Sequence, residues 1–193
     1  MHQENYILIV LYSYIAAMLY FTKIRDVKSP TRWTSVSSWL DFYIPNELGK
    51  LDVKVTPTLG LDEQIDVVDV ENKKIMIPAG FWVLIPSWLK IQLEEWDENY
   101  TYEMVLYNKS WVAVKYNLLV WANVIDNDYR GEFNIHLINC WSAPIRLDFG
   151  QKIVQWIIRR VYLEQTEEIA LEVYEANANT ERGEAWFWST GTY

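Results

Sequence analysis

The stretch that decides the fold is Val124-Ile125-Asp126-Asn127-Asp128-Tyr129-Arg130-Gly131-Glu132. Its acidic and amide side chains, followed by Gly131, favour a polar turn between two β-strands. A turn alone does not require this particular combination of side chains. Hydrolysis of a phosphoanhydride bond needs a carboxylate that orients and deprotonates a water molecule, and Asp126 can supply one. The string therefore predicts a turn that carries a candidate general base.

Short apolar segments on both sides of this string predict β-structure. They share a high content of β-branched, aliphatic and aromatic residues, and they comprise residues 19–24, 76–86, 112–120, 134–139 and 152–161. Polar or proline-containing turns separate them. Residues 164–178 are compatible with either a helix or a strand. The pattern as a whole predicts an all-β barrel or sandwich.

Composition limits the classes of function. The net charge is −9, which argues against a protein that binds nucleic-acid polymers, because such proteins need a basic surface. A single nucleotide stays possible, since a few local cations and a Mg²⁺ ion can neutralise one triphosphate. A single cysteine excludes an intrachain disulfide, and with only two histidines beside it the chain does not predict a zinc site.

The nine-residue string resembles the third motif of the trimeric dUTPases, enzymes that split dUTP into dUMP and pyrophosphate. Four more segments follow the order of that family, and the resemblance covers roughly residues 20 to 191. It implies a distorted β-barrel or jelly-roll-like (β-clip) fold, a homotrimer with sites between subunits, a Mg²⁺ cofactor and a cytoplasmic location, with no membrane partner. Residues 49–72 look like an insertion, to which no function is assigned.

The resemblance also implies roles for individual residues. Asp126 would be the general base, and Ile125 and Tyr129 would pack under the deoxyribose and leave no space for a 2′-hydroxyl. Asp41, in the first-motif string from Trp39 to Pro45, would hold waters of the Mg²⁺ shell. Asn123 lies in the segment 115–125, which corresponds to the hairpin that recognises uracil.

The phosphate-binding residues come from three further motifs. Lys109 stands where the family has Arg, which keeps the charge but loses the bidentate geometry of a guanidinium. The expected phosphate or base contacts are Lys109, Ser110 and Trp111 in the second motif, Gln155 in the fourth, and Arg182, Phe187, Ser189, Thr190 and Gly191 in the fifth. Phe187 would stack on uracil, and the others of the fifth motif would bind the γ-phosphate.

Tryptophan is over-represented at positions where the family has glycine. The chain has 11 Trp and 7 Gly, whereas an average chain of this length carries about 13 Gly. The motif positions concerned are Trp39, Trp111, Trp121, Trp186 and Trp188; Trp33, Trp88 and Trp141 also stand in contexts that favour glycine. One explanation is a gene in which UGA encodes glycine but has been translated as tryptophan.

The rival explanation is that the tryptophans are real. The chain would then be a catalytically impaired, dUTPase-like protein with a nucleotide-binding or regulatory role. A third alternative, tryptophans that stack on the bases of single-stranded nucleic acid, conflicts with the acidic charge. Within the same fold, a dCTP deaminase is a further alternative, disfavoured because that enzyme lacks the Asp-Tyr-Arg-Gly pattern found at residues 128–131.

The predicted organisation has three parts. Residues 1–17 form an apolar lead, which is either an anchor or uncleaved leader, or upstream sequence that is not translated, with Met18 as the start. Residues 18–175 form the β-domain. Residues 176–193 form a flexible C-terminal arm that carries the fifth motif.

Overall fold

A computed structural model describes residues 18–58, 65–93, 98–177 and 180. The chain divides into two units, residues 1–162 and 163–193. The described residues of the first unit form twelve strands and helix α1, and those of the second form helix α2. No helix in these described ranges is long and apolar enough to cross a membrane; the apolar lead, residues 1–17, lies outside them.

Twelve strands and two helices follow one another along the described residues. They are β1 (Leu19–Lys23), β2 (Leu40–Tyr43), β3 (Lys54–Pro57), β4 (Val68–Asp69), β5 (Lys74–Ile77), β6 (Phe81–Leu93), β7 (Tyr100–Asn108), α1 (Ser110–Tyr116), β8 (Leu118–Val120), β9 (Val124–Asp126), β10 (Glu132–Asn139), β11 (Ile145–Asp148), β12 (Lys152–Tyr162) and α2 (Leu171–Asn177).

The strands form three antiparallel sheets. One has the order β1-β6-β10-β8, with β3 also paired to β6; the second is β2-β12-β7-β9, and the third is β11-β5-β4. An aromatic cluster joins the first two sheets: the ring of Phe42 lies 4.4 Å from that of Trp156 and 5.4 Å from that of Phe133, edge to face in both cases. Burial of such aromatic side chains is the main source of stability in a β-sandwich core.

Most of the predicted strands are confirmed. Strand β1 covers residues 19–23, and β10 has the predicted alternation, with Phe133, Ile135 and Leu137 pointing into the core. Strand β12 also lies where it was predicted. The segment 76–86 is instead divided between β5 and β6, because Gly80, with φ of 73°, makes a turn between them.

The predicted strand over residues 112–120 is wrong in its first half, which forms α1. The helix buries Val112 and has its first-turn hydrogen bond from the Ala113 N–H to the Lys109 carbonyl, 2.9 Å. Asn117, with φ of 49°, ends it in the left-handed conformation that closes many helices. Tertiary burial of one valine outweighs the β-propensity of the segment. For residues 164–178, the helical alternative is confirmed over α2.

Strand β6 is irregular at Trp88, whose φ is 55°. A bulky residue in the left-handed region is a genuine outlier. The Trp88 N–H turns away from the strand ladder and donates a hydrogen bond of 2.7 Å to the side-chain oxygen of Glu132. The last residue of the turn string therefore fixes the irregularity of β6.

Replacement of Glu132 by Ala removes the acceptor and leaves the Trp88 N–H without a partner in a partly buried setting. We expect Glu132→Ala to lower the free energy of unfolding by about 1–3 kcal/mol. Glu132→Gln keeps an acceptor oxygen and is the matched control. Urea denaturation at a fixed protein concentration measures both variants. Equal stability of the two variants would contradict this role.

Candidate functional site

A row of side chains crosses the sheet β2-β12-β7. Asp41 on β2 lies opposite Gln155 on β12, and Gln155 lies opposite Tyr107 on β7. Side chains at such positions point to the same face of a sheet. Trp39, two residues before Asp41, packs edge-on against Tyr107 with ring centroids 4.9 Å apart. The first and fourth motifs therefore meet on one face.

A β-bulge brings Lys152 onto that same face. Lys152 lies opposite Tyr43 and Val154 opposite Phe42, so Ile153 is an extra residue in β12. Both Ile153 and Val154 are fully buried. Without the bulge, strict alternation would place Lys152 on the face opposite to Gln155. The sequence contained no signal for this residue beyond its place in the fourth motif.

Asp41 is a buried carboxylate held by two lysines. Its side chain is 7% exposed, whereas that of Lys109 is 14% and that of Lys152 30% exposed. The ammonium of Lys152 donates to Oδ2 at 2.9 Å, and that of Lys109 donates to Oδ1. Burial alone would raise the pKa of Asp41, but the hydrogen bonds from both lysines outweigh it and lower that pKa. The bond to Asp41 raises the pKa of Lys152.

A cleft of about 280 Å³ opens over this pair of lysines. Its lining residues are Trp33, Ser37, Trp39, Asp41, Lys109, Trp111, Lys152 and Gln155. Four of the predicted site residues, Asp41, Lys109, Trp111 and Gln155, are thus brought together, and Ser110 is exposed beside them at the start of α1. A larger cleft, of about 580 Å³, is lined by none of the predicted site residues.

The turn that follows β9 has a defined shape. The Tyr129 N–H donates to the Asp126 carbonyl at 3.2 Å, and the Tyr129 hydroxyl donates to the Glu132 carbonyl at 2.8 Å. A Cβ on Gly131 would lie 2.5 Å from Cζ of Tyr129, so the ring requires glycine there. Ile125 is half-buried opposite Met104. Asp126 is exposed, and its carboxylate has no hydrogen bond or ion pair within the described ranges.

Asp126 is not in the cleft of its own chain. It lies opposite Glu103 on β7, whereas Lys109 follows the end of that strand. Six residues of extended chain span about 20 Å. Asp126 therefore lies about 20 Å from Lys109 within one chain.

The segment proposed to recognise uracil connects two sheets. β8 pairs with β10 and β9 pairs with β7, and no pairing joins β8 to β9 in this fully described part of the chain. Asn123 is half-buried, and its carbonyl accepts a hydrogen bond of 2.7 Å from the Leu106 N–H. Arg182, Phe187, Ser189, Thr190 and Gly191 lie outside the described residues.

The described residues contain no cluster of three acidic, histidine or cysteine side chains that could hold a metal ion directly. Mg²⁺ in nucleotide sites is bound largely by phosphates and water, with few protein ligands. Asp41 fits such an indirect role, because it is a buried carboxylate at the cleft and each of its oxygens has a lone pair beyond the one that accepts from a lysine.

The lowered pKa of Asp41 makes a prediction about stability and pH. A carboxyl whose pKa is lower in the folded state stabilises the fold above its unfolded pKa, and this contribution is lost as pH falls through the folded pKa. We expect Asp41→Asn to cost on the order of 2 kcal/mol at pH 7, and less as the pH falls below 3.8, the ordinary value.

Denaturant titrations of both proteins between pH 7 and pH 3 measure this difference. Asp128→Asn, in the exposed turn, serves as the control and should give a small difference at every pH. A difference for Asp41→Asn that stays constant down to pH 3 would contradict the ion-pair account.

Comparison with known proteins identifies relatives of this chain. The sequence model of the dUTPase family matches residues 70–191, which include the second to fifth motifs but begin after Asp41. The deoxyuridine 5′-triphosphate nucleotidohydrolase of Rickettsia akari is 34% identical over 130 residues, 66% of this chain and 80% of that protein. The Candida albicans protein of the same name is 39% identical over 83 residues, 43% of this chain and half of that protein's length.

Solved structures agree on the fold. The dUTPase of Staphylococcus bacteriophage 80alpha with dUPNHPP superposes with a TM-score of 0.57, at 18% identity, over 90% of this chain and 98% of that one. The native EIAV dUTPase gives 0.54, at 21% identity, over 80% and 98%. These likenesses show the all-β dUTPase fold, and together with the family match they show that this chain belongs to the dUTPase family, hydrolases that act on dUTP.

Proposed function

We propose that this chain hydrolyses dUTP to dUMP and pyrophosphate in sites shared between the subunits of a homotrimer. The observation that carries the proposal is the division of the motifs. The cleft of one chain holds Asp41, Lys109 and Gln155, with Ser110 at its edge, while Asp126 lies at the exposed end of β9, about 20 Å away. Complexes of related dUTPases with the analogue dUpNHpp support dUTP as the substrate.

The distance within one chain is the reason for a shared site. A base that activates water for attack on a phosphate and a hydroxyl that contacts that phosphate must both lie within a few ångströms of it. Ser110 and Asp126 of one chain are too far apart for this. In our proposal Asp126 of a neighbouring subunit completes each cleft, and head-to-tail contacts of this kind close into a ring when the rotation permits it.

The proposed roles follow from the local geometry. Asp126 orients the attacking water and takes its proton, and its exposed carboxylate is available for that contact. Tyr129, whose ring is held over Gly131, packs with Ile125 against the deoxyribose and refuses a 2′-hydroxyl by contact. Asn123 and the backbone around it would face the uracil edge.

The phosphates would bind in the cleft. Lys109, Ser110 and Gln155 would contact the triphosphate there, and the family resemblance assigns the γ-phosphate to Arg182, Ser189, Thr190 and Gly191 and the base to Phe187. Mg²⁺, when bound, would neutralise charge on the triphosphate. Asp41 would then accept hydrogen bonds from the waters of that ion, an outer-sphere role that suits a strongly hydrated cation.

A specific observation favours the alternative of an impaired, nucleotide-binding protein. Trp111 directly follows Ser110 and lines the same cleft as Lys109, and Trp39 lines it too. Indole rings beside a phosphate site take space and supply one N–H donor each. If both rings stay in place, the cleft would bind nucleotide poorly or without turnover.

The first test of the proposal removes the base. Asp126→Asn should keep its affinity for dUTP and lower turnover by about 10²–10⁴, because general-base catalysis contributes a factor of this size. Pyrophosphate release and equilibrium binding are measured on the same preparation. Asp128→Asn, in the turn that directly follows β9, is the matched control. Near-normal turnover by Asp126→Asn would show that another group activates the water.

The second test is substrate choice. Assayed side by side, dUTP should be hydrolysed, whereas UTP, dTTP and dCTP should be poor substrates. Tyr129 would exclude the 2′-hydroxyl of a ribose by steric contact, and the segment around Asn123 would discriminate against the other bases. A pocket built on polar contacts with one base discriminates strongly against others. Comparable hydrolysis of UTP would refute the role of Tyr129, and release of ammonia from dCTP would favour a deaminase.

A further inference from the structure

The pair of lysines on Asp41 has an arrangement that the proposed function does not yet use. Two ammonium groups share one buried carboxylate, so the local charge of the three groups is +1. Each ammonium has three N–H donors and gives one of them to Asp41, and Lys152 also has a hydrogen bond with Tyr43. At least one further donor remains on each lysine, and both residues line the cleft.

The position of Lys152 is fixed from several sides. The bulge at Ile153 turns it onto the cleft face, its ammonium lies 5.5 Å from the ring centroid of Trp33, and it lies 5.7 Å from that of Tyr43. Cation–π contacts of this kind restrict a flexible side chain. The ammonium therefore has a preset position beside that of Lys109.

We propose that Lys152 and Lys109 together bind the polyphosphate and that Asp41 is their positioning residue even without a metal ion. The inference rests on the proposed function, of which it specifies the phosphate site. It also gives Lys109 a reason to be lysine: a compact ammonium can share Asp41 with a second ammonium. The negative charge of Asp41 cancels one of the two positive charges. The fixed geometry of the two cations more than offsets this loss of attraction for phosphate.

Binding measured in EDTA tests this inference, because no metal ion can then act through Asp41. The probes are inorganic tripolyphosphate, the analogue dUpNHpp and dUMP. We expect Lys152→Met to weaken binding of tripolyphosphate and dUpNHpp by about 10- to 100-fold, as for loss of a charge-assisted hydrogen bond, and to change dUMP binding far less. Lys152→Arg should retain part of the affinity.

Lys54→Met is the matched control, because Lys54 is exposed on β3 and does not line the cleft. Asp41→Asn gives the sharpest result. If charge alone mattered, removal of an anion would strengthen tripolyphosphate binding; a positioning role predicts weaker binding by about tenfold, equivalent to one charge-assisted hydrogen bond. Circular dichroism confirms that each variant is folded before binding is measured.

The outcomes separate this inference from the proposed function. If Lys152→Met binds every probe as the unaltered protein does, Lys152 is not a phosphate ligand, while dUTP hydrolysis stands. If Asp41→Asn binds tripolyphosphate equally or more tightly in EDTA, the positioning role is refuted. If the unaltered protein binds tripolyphosphate but not dUpNHpp, the phosphate site stands and the dUTP proposal fails. If it binds neither, both fail.

A second inference rests on an independent observation, the conformation of Trp88. Its φ of 55° lies in the middle of β6, whereas the other described residues with positive φ are Lys73, Gly80, Asn117 and Gly150. Left-handed backbone is unfavourable for a residue with a Cβ, whereas glycine adopts it readily. Position 88 thus has the backbone of a glycine.

Four other described tryptophans differ in how far the fold buries their rings. Trp156 is fully buried and packs against Phe42, as a core tryptophan does. Trp33 is 82% exposed and Trp121 66% exposed, and Trp111 takes up space in the cleft beside Ser110. An indole exposed to this extent contributes little burial. The rings of Trp111 and Trp121 therefore add little to the core, whereas the ring of Trp88 is buried, and the argument at position 88 rests on its backbone conformation.

We infer that residues 88 and 111 are glycine in the protein made by its source, because its gene uses UGA as a glycine codon. Mass spectrometry of peptides from the native source tests this. Peptides that cover residues 88 and 111 should be lighter by the difference between tryptophan and glycine, and the peptide that covers Trp156 should not. The DNA should have UGA at both positions. A tryptophan mass or a UGG codon at either position would overturn the inference.

Discussion

Strands β7 and β12 pair over nine residues, from Asn108 opposite Val154 to Tyr100 opposite Tyr162. The positions of Asp41, Lys109, Gln155 and Asp126 depend on this ladder. At one end β12 holds β2, which brings Asp41 beside Gln155, and β7 delivers Lys109 to the same place. Toward the other end β7 holds β9, which carries Asp126. The length of the ladder therefore separates Asp126, the proposed base, from the proposed phosphate site, and this separation is the physical reason for our proposal of a shared site.

Much of the fold could be predicted from the sequence, because strand patterns with one buried face are strongly specified. Strand β10 is the clearest case, with alternating burial from Phe133 onward. Prediction failed where a tertiary contact overrides local propensity. Val112 was assigned to a strand, yet it anchors helix α1, which the left-handed Asn117 ends. No local pattern distinguishes these two outcomes for a segment of seven residues.

The candidate site was predictable in its members but not in its geometry. The motif strings named Asp41, Lys109 and Gln155, and the sheet brings these three residues together. The sequence could not give the role of Lys152, because a bulge decides which face it occupies. Nor could it give the division of motifs along β7, which follows from strand register. The sequence therefore predicts which chemical groups the site contains, whereas the distances between these groups follow from the pairing of the strands.

The central claim is that one site takes Asp126 and Ser110 from different chains, and subunit mixing tests it most directly. Asp126→Asn and Ser110→Ala chains, each nearly inactive alone, are refolded together with different tags, and assemblies that carry both tags confirm the mixing. Random assembly from equal amounts should leave about one quarter of the sites with both native residues, one half times one half. We predict recovery of about a quarter of the unaltered protein's dUTP hydrolysis. Activity that stays at the level of the two separate variants would contradict the account, because it would place both residues in a site of a single chain.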